Sequence, residues 1–396
     1  MIPDVSIAST NQTISQNRLK ILYVGMKYNY GKPEQGYSFE HCTFYDSLIR
    51  IGHEILYFDF MTLLHKHGHS GMNNRLMEVV KTEKPDLMFT FLFTNELDPK
   101  VVREISENTD TITLNWFADD HWRFENFSCF WAPCFNWVVT TAQSALPKYE
   151  QIGYRNVIKS QWGCNHFLYR KLDLPLKYDV TFIGQPHSNR RQVIETLAQS
   201  GIKVHVWGNG WKTGRLSQTE MIEVFNQSRI NLNLQNSFMV GRKNNLTKRF
   251  ISRCLDFIPY GDQLKLKGSE LYDKFQNFFS VDSVSEQPKS DSQQNYEQIK
   301  GRNFEVPGCG GFLLTGKAEN LNEYYRIGQE VECFDTNEVL IDQIKYYLEN
   351  EEQRLAIAKA GYERTLNEHT YVHRFTEIFQ RIGLISQEID YFSNKV

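Results

Sequence analysis

The stretch DVTFIGQPHSNRRQVIETL, residues 179–197, contains the repeating unit of this fold. DVTFIG is a short apolar run of strand-forming residues that ends at Gly184, and the segment after it has the apolar spacing of a helix over 188–200. The unit then repeats, because KVHVWG (203–208) leads to a helix over 217–228 and INLNL (230–234) follows. Strands that alternate with helices predict a mostly parallel sheet covered by helices on both faces.

The same alternation runs through the amino-terminal part of the chain. Its strands are predicted at LKILYVG (19–25), EILYFDF (54–60), DLMFTFLF (86–93), TITLNWF (111–117), NWVVTT (136–141) and NVIKS (156–160), with helices over 38–51, 98–107 and 142–152. The charged, proline-containing RKLDLPLKY (170–178) interrupts the pattern. We therefore predict two doubly wound domains, 18–174 and 175–368, that face each other across a ligand cleft. A loose tail (1–17) and a carboxyl-terminal segment (369–396) complete the chain.

Composition excludes several classes of protein. At roughly 150 residues per domain, the 396 residues correspond to about 2.6 domain lengths. The 44 Lys+Arg and 47 Asp+Glu leave a net charge of −3, which argues against a dedicated nucleic-acid binder. Seven scattered cysteines without a CxxC pair suggest neither a disulfide framework nor a thiolate zinc site. With no long apolar run and a polar amino terminus, a cytoplasmic location is expected.

Residues 237–295 break the alternation and are interpreted as an insertion into the second domain. Positions 238–268 hold seven basic and two acidic residues, an excess of five positive charges. This segment is a candidate site for an anionic acceptor or a membrane surface, which would make the protein peripheral at the inner face of the membrane. The alternative interpretation is a solvent-exposed surface loop.

The segment EQIKGRNFEVPGCGGFLLTG (297–316) is the strongest candidate for a ligand site. Arg302 stands three residues before Glu305, and the glycines Gly310 and Gly311 precede an apolar strand. One carboxylate can accept both hydroxyls of a ribose diol, a cation suits a diphosphate, and glycine allows close approach to a ligand. The alternative is a weak surface ion pair at helical spacing.

Two loops after strands of the second domain are further candidates. Arg190 and Arg191 fall in the first turn of the 188–200 helix, where the helix dipole disfavours cations unless a phosphate binds there as well. Gly184 fits a tight turn before that helix. The loop that begins at the last residue of KVHVWG consists of small and polar residues, Gly208, Asn209 and Gly210. It either flanks a nucleotide or forms a plain turn.

In the first domain, NWFADDHWRFENF (115–127) places two carboxylates and an imidazole at the end of a strand. Asp119 or Asp120 is a candidate general base toward an acceptor hydroxyl, and His121 is a third candidate near neutral pH. The alternative is an aspartate that caps the next helix. GYSFEH (36–41) adds His41 in the first predicted helix, and its role is equally open. HKHGH (65–69) lacks a matching carboxylate or cysteine set, so a polar loop is favoured over a metal site.

Several motifs together resemble a known family. These motifs are DVTFIG followed by arginine, VWGNGW, GRLSQTEMIEVFNQSRINLNL, IKGRNFEVPGCGGFLLTG and HTYVHRF. Together they look like the CgeB-like (spore maturation protein) branch of group 1 glycosyltransferases with the GT-B fold. The resemblance is densest over 178–380 and looser in the first domain, at WFADDHWRF and GCNHFLYR. The 237–295 insertion departs from the shorter connection usual in that group.

The resemblance implies a nucleoside diphosphate sugar donor, bound mainly by the second domain, and a glycan, lipid-linked or protein acceptor at the first. It also implies a last helix that crosses back to the first domain. By position, Glu305 would hold the ribose, and Lys300, Arg302 and Arg190 would face the diphosphate. Related retaining enzymes have two glutamates separated by seven residues, a spacing that Glu297 and Glu305 satisfy.

The resulting prediction is a metal-independent glycosyltransferase without a cofactor, in which the stereochemical outcome stays open. If the reaction inverts the anomeric centre, Asp119 or Asp120 is the base; if it retains the configuration, no base is needed there. Two alternatives have other functions. One is a non-catalytic binding or scaffold protein with the same fold, and the other is a sugar-nucleotide epimerase, which is disfavoured because no dedicated acid/base pair stands out.

Overall fold

The computed structural model describes residues 18–187, 189–234 and 298–386, and in this part of the chain two parallel sheets are present. The first sheet has the order β2-β1-β3-β4-β5-β6. Its strands are β1 (Lys20–Gly25), β2 (Glu54–Asp59), β3 (Leu87–Thr90), β4 (Ile112–Phe117), β5 (Trp137–Thr140) and β6 (Val157–Lys159). All five pairings in this sheet are parallel, as the alternation of strands and helices predicts.

The second sheet has five parallel strands in the order β11-β10-β9-β7-β8. These are β7 (Tyr178–Ile183), β8 (Val204–Trp207), β9 (Ser228–Asn233), β10 (Leu313–Gly316) and β11 (Glu332–Phe334). The first sheet ends at Lys159 and the second begins at Tyr178. The predicted boundary near 175 therefore lies in the connection between the two sheets.

The α-helices follow the strands on both faces of the sheets. The first-sheet helices are α1 (Asp46–Ile51), α2 (Phe60–Glu83), α3 (Pro99–Asn108), α4 (Asp120–Arg123), α5 (Cys129–Trp131) and α6 (Leu146–Gln151). The rest are α7 (Arg190–Gln199), α8 (Gln218–Asn226), α9 (Arg302–Gly308), α10 (Leu321–Tyr324), α11 (Asn337–Glu349), α12 (Glu351–Glu368) and α13 (Tyr371–Arg381). Two π-helical turns, His41–Tyr45 and Phe124–Ser128, lead into α1 and α5.

Local sequence explains where several of these helices begin. The Asp98 carboxylate accepts from the Lys100 backbone N–H at 2.9 Å, and Pro99 occupies the first position of α3, where its missing N–H costs nothing. Ser217 and Glu220 form a reciprocal capping box at the start of α8. These side chains satisfy N–H groups that have no partner within the helix.

The last described helix, α13, packs against the first sheet, as the crossing-helix expectation requires. Its Phe375 lies 5.7 Å from the Phe89 ring of β3, and Tyr371 lies 5.4 Å from the Phe44 ring, both measured between ring centroids. These four aromatic side chains are at most 1% exposed. Burial of such rings ties the carboxyl-terminal helix to the amino-terminal sheet.

One expectation about local structure is wrong. Residues 65–69, expected as a polar loop, lie inside α2, which is interrupted only at Gly68, where φ is +68°. His65, His67 and His69 lie in a stretch of α2, residues 65–70, that is exposed on all sides, while buried residues before and after it, such as Met61 and Met72, pack the helix against the core. The polarity of the histidines alone could not distinguish an exposed stretch of helix from a loop.

Candidate functional site

Both sheets have a point at which the strand order reverses, and in open parallel sheets ligands bind beyond the carboxyl ends of the strands at such a point. In the second sheet it lies between β7 and β9. Arg190 occupies this position. Its Nε donates to the carbonyl of Leu234 just after β9 at 3.0 Å, and its Nη1 donates to the carbonyl of Gln185 just after β7, also at 3.0 Å.

Arg190 is the first residue of α7, as predicted, and only 9% of it is exposed. Its guanidinium also lies over the Phe182 ring, at 5.4 Å from the ring centroid. Burial, and then the charge of Arg302, lower the pKa of Arg190 to about 10. Among the described residues two carbonyls and no carboxylate hold this buried guanidinium, so its positive charge is left for an anion.

The two glycine loops predicted as donor contacts lie against each other. Gly208, after β8, has φ of +142°, and a Cβ there would collide with the carbonyl oxygen of Gly184, after β7. The Trp211 indole N–H donates to the same Gly184 carbonyl at 2.7 Å. Gly208 is thus required because the two loops touch. Gly210 and Asn209 are exposed at the tip of the second loop.

The second arginine of the pair has a different environment. Arg191 is exposed, donates to the Gly210 carbonyl at 3.1 Å and covers the Trp211 ring at 4.8 Å from the ring centroid. Its contacts support the loop after β8. The structure therefore separates two neighbouring arginines that sequence treats alike.

The segment 298–305 brings a second group of charges to the same place. Arg302 forms an ion pair with Glu305, which is 1% exposed and also accepts a hydrogen bond from the Tyr169 hydroxyl at 2.9 Å. Both carboxylate oxygens of Glu305 thus have protein partners. In this arrangement the carboxylate fixes Arg302, and its predicted contact with a ribose stays a prediction.

Arg190, Lys300 and Arg302, which we call the cation cluster, repel one another. The charge of Arg302 lowers the pKa of Arg190, and burial together with the charge of Arg190 lowers the pKa of Lys300. Burial is the largest single influence on Arg302 and acts to lower its pKa, but the charges of Glu305 and Tyr169 and the hydrogen bond to Glu305 together outweigh it, and the net shift is upward. Moreover, among the described residues Arg302 Nε is buried without a hydrogen-bond acceptor. An anion bound among these side chains would relieve the repulsion and fill this unmet donor.

The glycines that follow α9 have a structural role in this conformation. Gly310 has φ of +72° and donates its N–H to the Pro307 carbonyl at 2.7 Å, while Gly311 donates to the Val306 carbonyl at 3.1 Å. Such a pair of bonds ends a helix, and a left-handed residue there favours glycine. They lie at the opposite end of α9 from Arg302, and their predicted contact with a donor stays a prediction.

At the carboxyl end of β4 the structure distinguishes the two aspartates. Asp120 is fully buried and accepts from the Tyr149 hydroxyl at 2.7 Å. Burial raises the pKa of Asp120 against the opposing effect of hydrogen bonds from Ser128 and Thr140. This carboxyl group anchors the start of α4 to the core. Asp119 is half-buried and lines a pocket, so of the two it is the one a hydroxyl could reach.

His121 lies beside Asp119 with a strongly perturbed imidazole. Burial is the main cause that lowers the pKa of His121; the charge of Asp119 opposes it, the charges of Lys300 and Lys148 add to it, and the net pKa is about 4. Within the described part of the chain its Nδ1 is buried without a hydrogen-bond partner. The imidazole is therefore neutral near pH 7.

Two contacts between the sheets were missed at the level of sequence. The Gln298 amide N–H donates to the carbonyl of Ala118, next to Asp119, and its carbonyl oxygen accepts from Lys300 Nζ at 2.6 Å. Glu319, beyond β10, accepts from the N–H and hydroxyl of Ser144 at 3.1 and 3.2 Å. Gln298 thus connects the candidate base to the cation cluster. No spacing pattern marks either residue, because their partners are distant in sequence.

The remaining candidates contribute less. His41 stacks on Tyr37 at 4.3 Å between ring centroids, and burial lowers the pKa of His41 to about 4, so it belongs to an aromatic cluster. Among the described residues, no group of three or more His, Cys, Asp or Glu side chains could hold a metal ion. Glu297, the 237–295 insertion and its basic part 238–268 lie outside the described residues.

The two parallel sheets have the GT-B fold, with the cation cluster at the second sheet and Asp119 at the first. In solved structures the same fold occurs in Anabaena HepE in complex with UDP and glucose, at 13% identity and a TM-score of 0.56, covering 93% of this chain and 100% of that chain. Sucrose-phosphate synthase from Thermosynechococcus elongatus matches at 8% identity and a TM-score of 0.57, over 92% and 99%. A Rickettsia africae glycosyltransferase matches at 11% identity and 0.52, over 93% and 99%.

Sequence comparison gives a more particular similarity. Residues 189–252 and 265–380 match a family model described as glycosyl transferase-like. No curated protein sequence matches the chain. The matched residues include Arg190, Lys300, Arg302 and Glu305. Within the described ranges, no helix combines the length and the apolar character needed to cross a membrane.

Proposed function

We propose that the protein is a glycosyltransferase that moves a sugar from a nucleoside diphosphate sugar to an acceptor hydroxyl. The proposal rests on the cation cluster, which lies where the strand order of the second sheet reverses. Among the described residues, the buried Arg302 Nε–H in this cluster has no hydrogen-bond acceptor. The glycosyl transferase-like family match over the same residues and the fold shared with HepE, whose structure holds UDP and glucose, support this function.

In this proposal the diphosphate lies among Arg190, Lys300 and Arg302. When the bond from the anomeric carbon to the diphosphate oxygen breaks, negative charge grows on that oxygen. Cations that are already in place stabilise this charge without reorganising, which lowers the barrier. Glu305 contributes by holding Arg302, and Gln298 contributes by holding Lys300.

Asp119 is the proposed general base of an inverting reaction. It is half-buried at the edge that faces the cluster, and its charge acts on Lys300. A carboxylate near the acceptor can take the proton as the new bond forms. Asp120 and Tyr149 position it, since they fix the backbone from which its side chain extends.

The finer assignments also belong to this proposal. We place the protein in the CgeB-like branch, with a hexosyl donor, no metal requirement and no cofactor, and with a glycan, lipid-linked or protein acceptor. We expect a cytoplasmic protein that contacts the inner face of the membrane through the basic segment 238–268. The support is the motif order in the sequence and the local excess of positive charge.

A donor screen tests the function. UDP-, GDP- and ADP-sugars are added separately, with and without EDTA, and thermal stabilisation is followed by assays of donor hydrolysis and transfer. We expect one nucleotide class to raise the melting temperature in the presence of EDTA, since ligands that bind the folded state stabilise it. Stabilisation by none would contradict the donor site. Binding without turnover on any acceptor would favour the scaffold alternative.

A further inference from the structure

Two motifs that lie far apart in the sequence, GCNHFLYR (163–170) and HTYVHRF (369–375), pair with each other in the structure. The Cys164 N–H donates to the His369 carbonyl at 2.8 Å, and the Tyr371 N–H donates to the Cys164 carbonyl at 3.1 Å. We call residues 163–170 the connecting segment, because they lie between the last strand of the first sheet and the first strand of the second. The connecting segment is therefore attached to the start of α13.

The connecting segment is also fixed to the first domain, through a buried asparagine. The Asn165 side-chain amide donates to the Cys42 carbonyl at 2.7 Å and to the Asp46 carboxylate at 2.8 Å. The Asn165 backbone carbonyl accepts from the N–H groups of Leu168 and Tyr169 at 3.0 and 2.8 Å. Since Asn165 is 1% exposed, these bonds are shielded from water, and they hold the backbone that carries the Tyr169 side chain.

The Tyr169 side chain extends from this backbone to the donor site. Its hydroxyl donates to Glu305 Oε1 at 2.9 Å, and the other carboxylate oxygen of Glu305 accepts from Arg302. The Tyr169 ring stacks on Phe225 of α8 at 6.5 Å between ring centroids. The Arg302 guanidinium lies over the same Phe225 ring, 5.5 Å from its centroid. Tyr169 thus contacts both side chains that hold the Arg302 guanidinium in place.

The Tyr169 hydroxyl fixes the orientation of the Glu305 carboxylate. A carboxylate with donors on both oxygens has one favoured plane, whereas loss of one donor leaves a buried oxygen unpaired and frees the group to turn. The Arg302 guanidinium would follow, because Glu305 is its ion-pair partner. Burial, and then the charge of Glu305, raise the pKa of Tyr169 well above its usual range, so the hydroxyl remains a donor near neutral pH.

We propose that Tyr169 is a positioning residue of the donor site: by holding Glu305, it fixes Arg302 where the diphosphate binds. This inference rests on the proposed function. In this role Tyr169 acts on the diphosphate only through the ion pair between Glu305 and Arg302. Because Tyr169 belongs to the connecting segment, the position of Arg302 depends on how that segment is held by the first domain and by α13.

The first test is Tyr169→Phe, which removes the hydroxyl and keeps the buried ring. Calorimetry of the full-length protein with UDP, GDP and ADP measures the affinity of each variant, and the nucleotide that the wild type binds most tightly is used for comparison. We expect Tyr169→Phe to weaken binding of that nucleotide by about tenfold, because a hydrogen bond to a charged group is lost behind Arg302.

Tyr347→Phe is the matched control, because it removes a similar bond elsewhere in the same domain. The Tyr347 hydroxyl, on α11, donates to the carboxylate of Glu332 in the edge strand β11 at 2.6 Å, and the tyrosine is 4% exposed. We expect this variant to lose melting temperature as Tyr169→Phe does, but to keep the wild-type affinity for the nucleotide. A loss of affinity caused only by destabilisation would appear in both variants.

The second test combines Tyr169→Phe with Arg302→Gln. The glutamine removes the charge of Arg302, while its amide can still donate to the Glu305 carboxylate. If Tyr169 acts through Arg302, the two substitutions are not additive. We therefore expect the double variant to bind the nucleotide as Arg302→Gln alone does, to within about twofold.

Three results would overturn this role of Tyr169 while leaving the donor site intact. They are wild-type affinity in Tyr169→Phe, an equal loss of affinity in Tyr347→Phe, and a full additional loss in the double variant. Melting curves show which variants are folded, and the comparison of Tyr169→Phe with Tyr347→Phe decides the question even if Arg302→Gln does not fold. Failure of the wild type to bind any of the nucleotides is a different result, because it contradicts the proposed function itself.

Discussion

The two sheet edges that carry the candidate site differ in charge, although both follow from the same parallel-sheet architecture. The second-sheet edge has the cation cluster, Arg190, Lys300 and Arg302, whose members repel one another. The first-sheet edge has Asp119 beside a neutral imidazole and an aromatic pocket. An anion would relieve the repulsion at the former, whereas the latter has a carboxylate among aromatic side chains, so the edges are suited to different ligands.

The comparison also shows how the edges are coupled. Gln298 hydrogen-bonds to the backbone beside Asp119 and to Lys300. The carboxylate of Asp119 and the ammonium of Lys300 therefore belong to one electrostatic network. In the proposed reaction, such a fixed arrangement would align the reacting groups.

The largest expected effect comes from Asp119→Asn at the first-sheet edge. The substitution keeps the shape and removes the proton acceptor, so kcat for transfer is expected to fall by roughly 10²–10⁴, the usual contribution of a general base. Steady-state kinetics of transfer measure kcat. The affinity of the same variant for UDP reports whether the donor site at the second-sheet edge is intact. A loss of kcat below about tenfold would remove the base role from Asp119 and would favour a retaining reaction.

A smaller effect is expected from Arg190→Met at the second-sheet edge. Loss of a charge-assisted contact is expected to weaken UDP binding by roughly 1.5–3 kcal/mol, as measured by calorimetry. Arg191→Met is the matched control, because Arg191 is exposed and its contacts are with the loop after β8. Equal effects of the two variants would contradict the distinction between these neighbours. If kcat falls by a larger factor than the affinity for UDP, Arg190 stabilises the transition state more than the bound nucleotide.

The smallest effect concerns the pH dependence of stability. In the folded protein the pKa of His121 is lowered to about 4, whereas an unfolded histidine titrates near about 6.5. Between these values the unfolded state binds more protons, so the stability contribution is lost as pH falls through this window. Denaturant unfolding from neutral to weakly acidic pH should show a smaller loss for His121→Gln than for the wild type.

The exposed His67 provides the control for this measurement, and His67→Gln is expected to keep the wild-type slope. An unchanged slope for His121→Gln would show that the imidazole is not buried in solution. Because the imidazole stays neutral through the working range, the activity profile should also lack an inflection from His121 near about pH 6.5. Such an inflection, if abolished by His121→Gln, would make this residue and not Asp119 the base.

Much of the fold could be predicted from the order of strands and helices. The alternation of DVTFIG, a helix and KVHVWG is enough for a parallel sheet, since successive parallel strands need a crossover. The histidines of α2 could not be placed, because an exposed helix face and a loop have the same polarity. Glu297 and the insertion lie outside the described residues, so those expectations stay predictions.

For the site, sequence alone determined which kinds of side chain follow the strands: arginines after β7, aspartates after β4, and a basic residue near Glu305. Only the tertiary structure decided which of them are available. Burial against Tyr149 assigns Asp120 to the core, and contacts with two carbonyl groups distinguish Arg190 from Arg191. The physical reason is that charge and spacing are local properties, whereas desolvation and hydrogen bonding depend on partners brought together from distant parts of the chain.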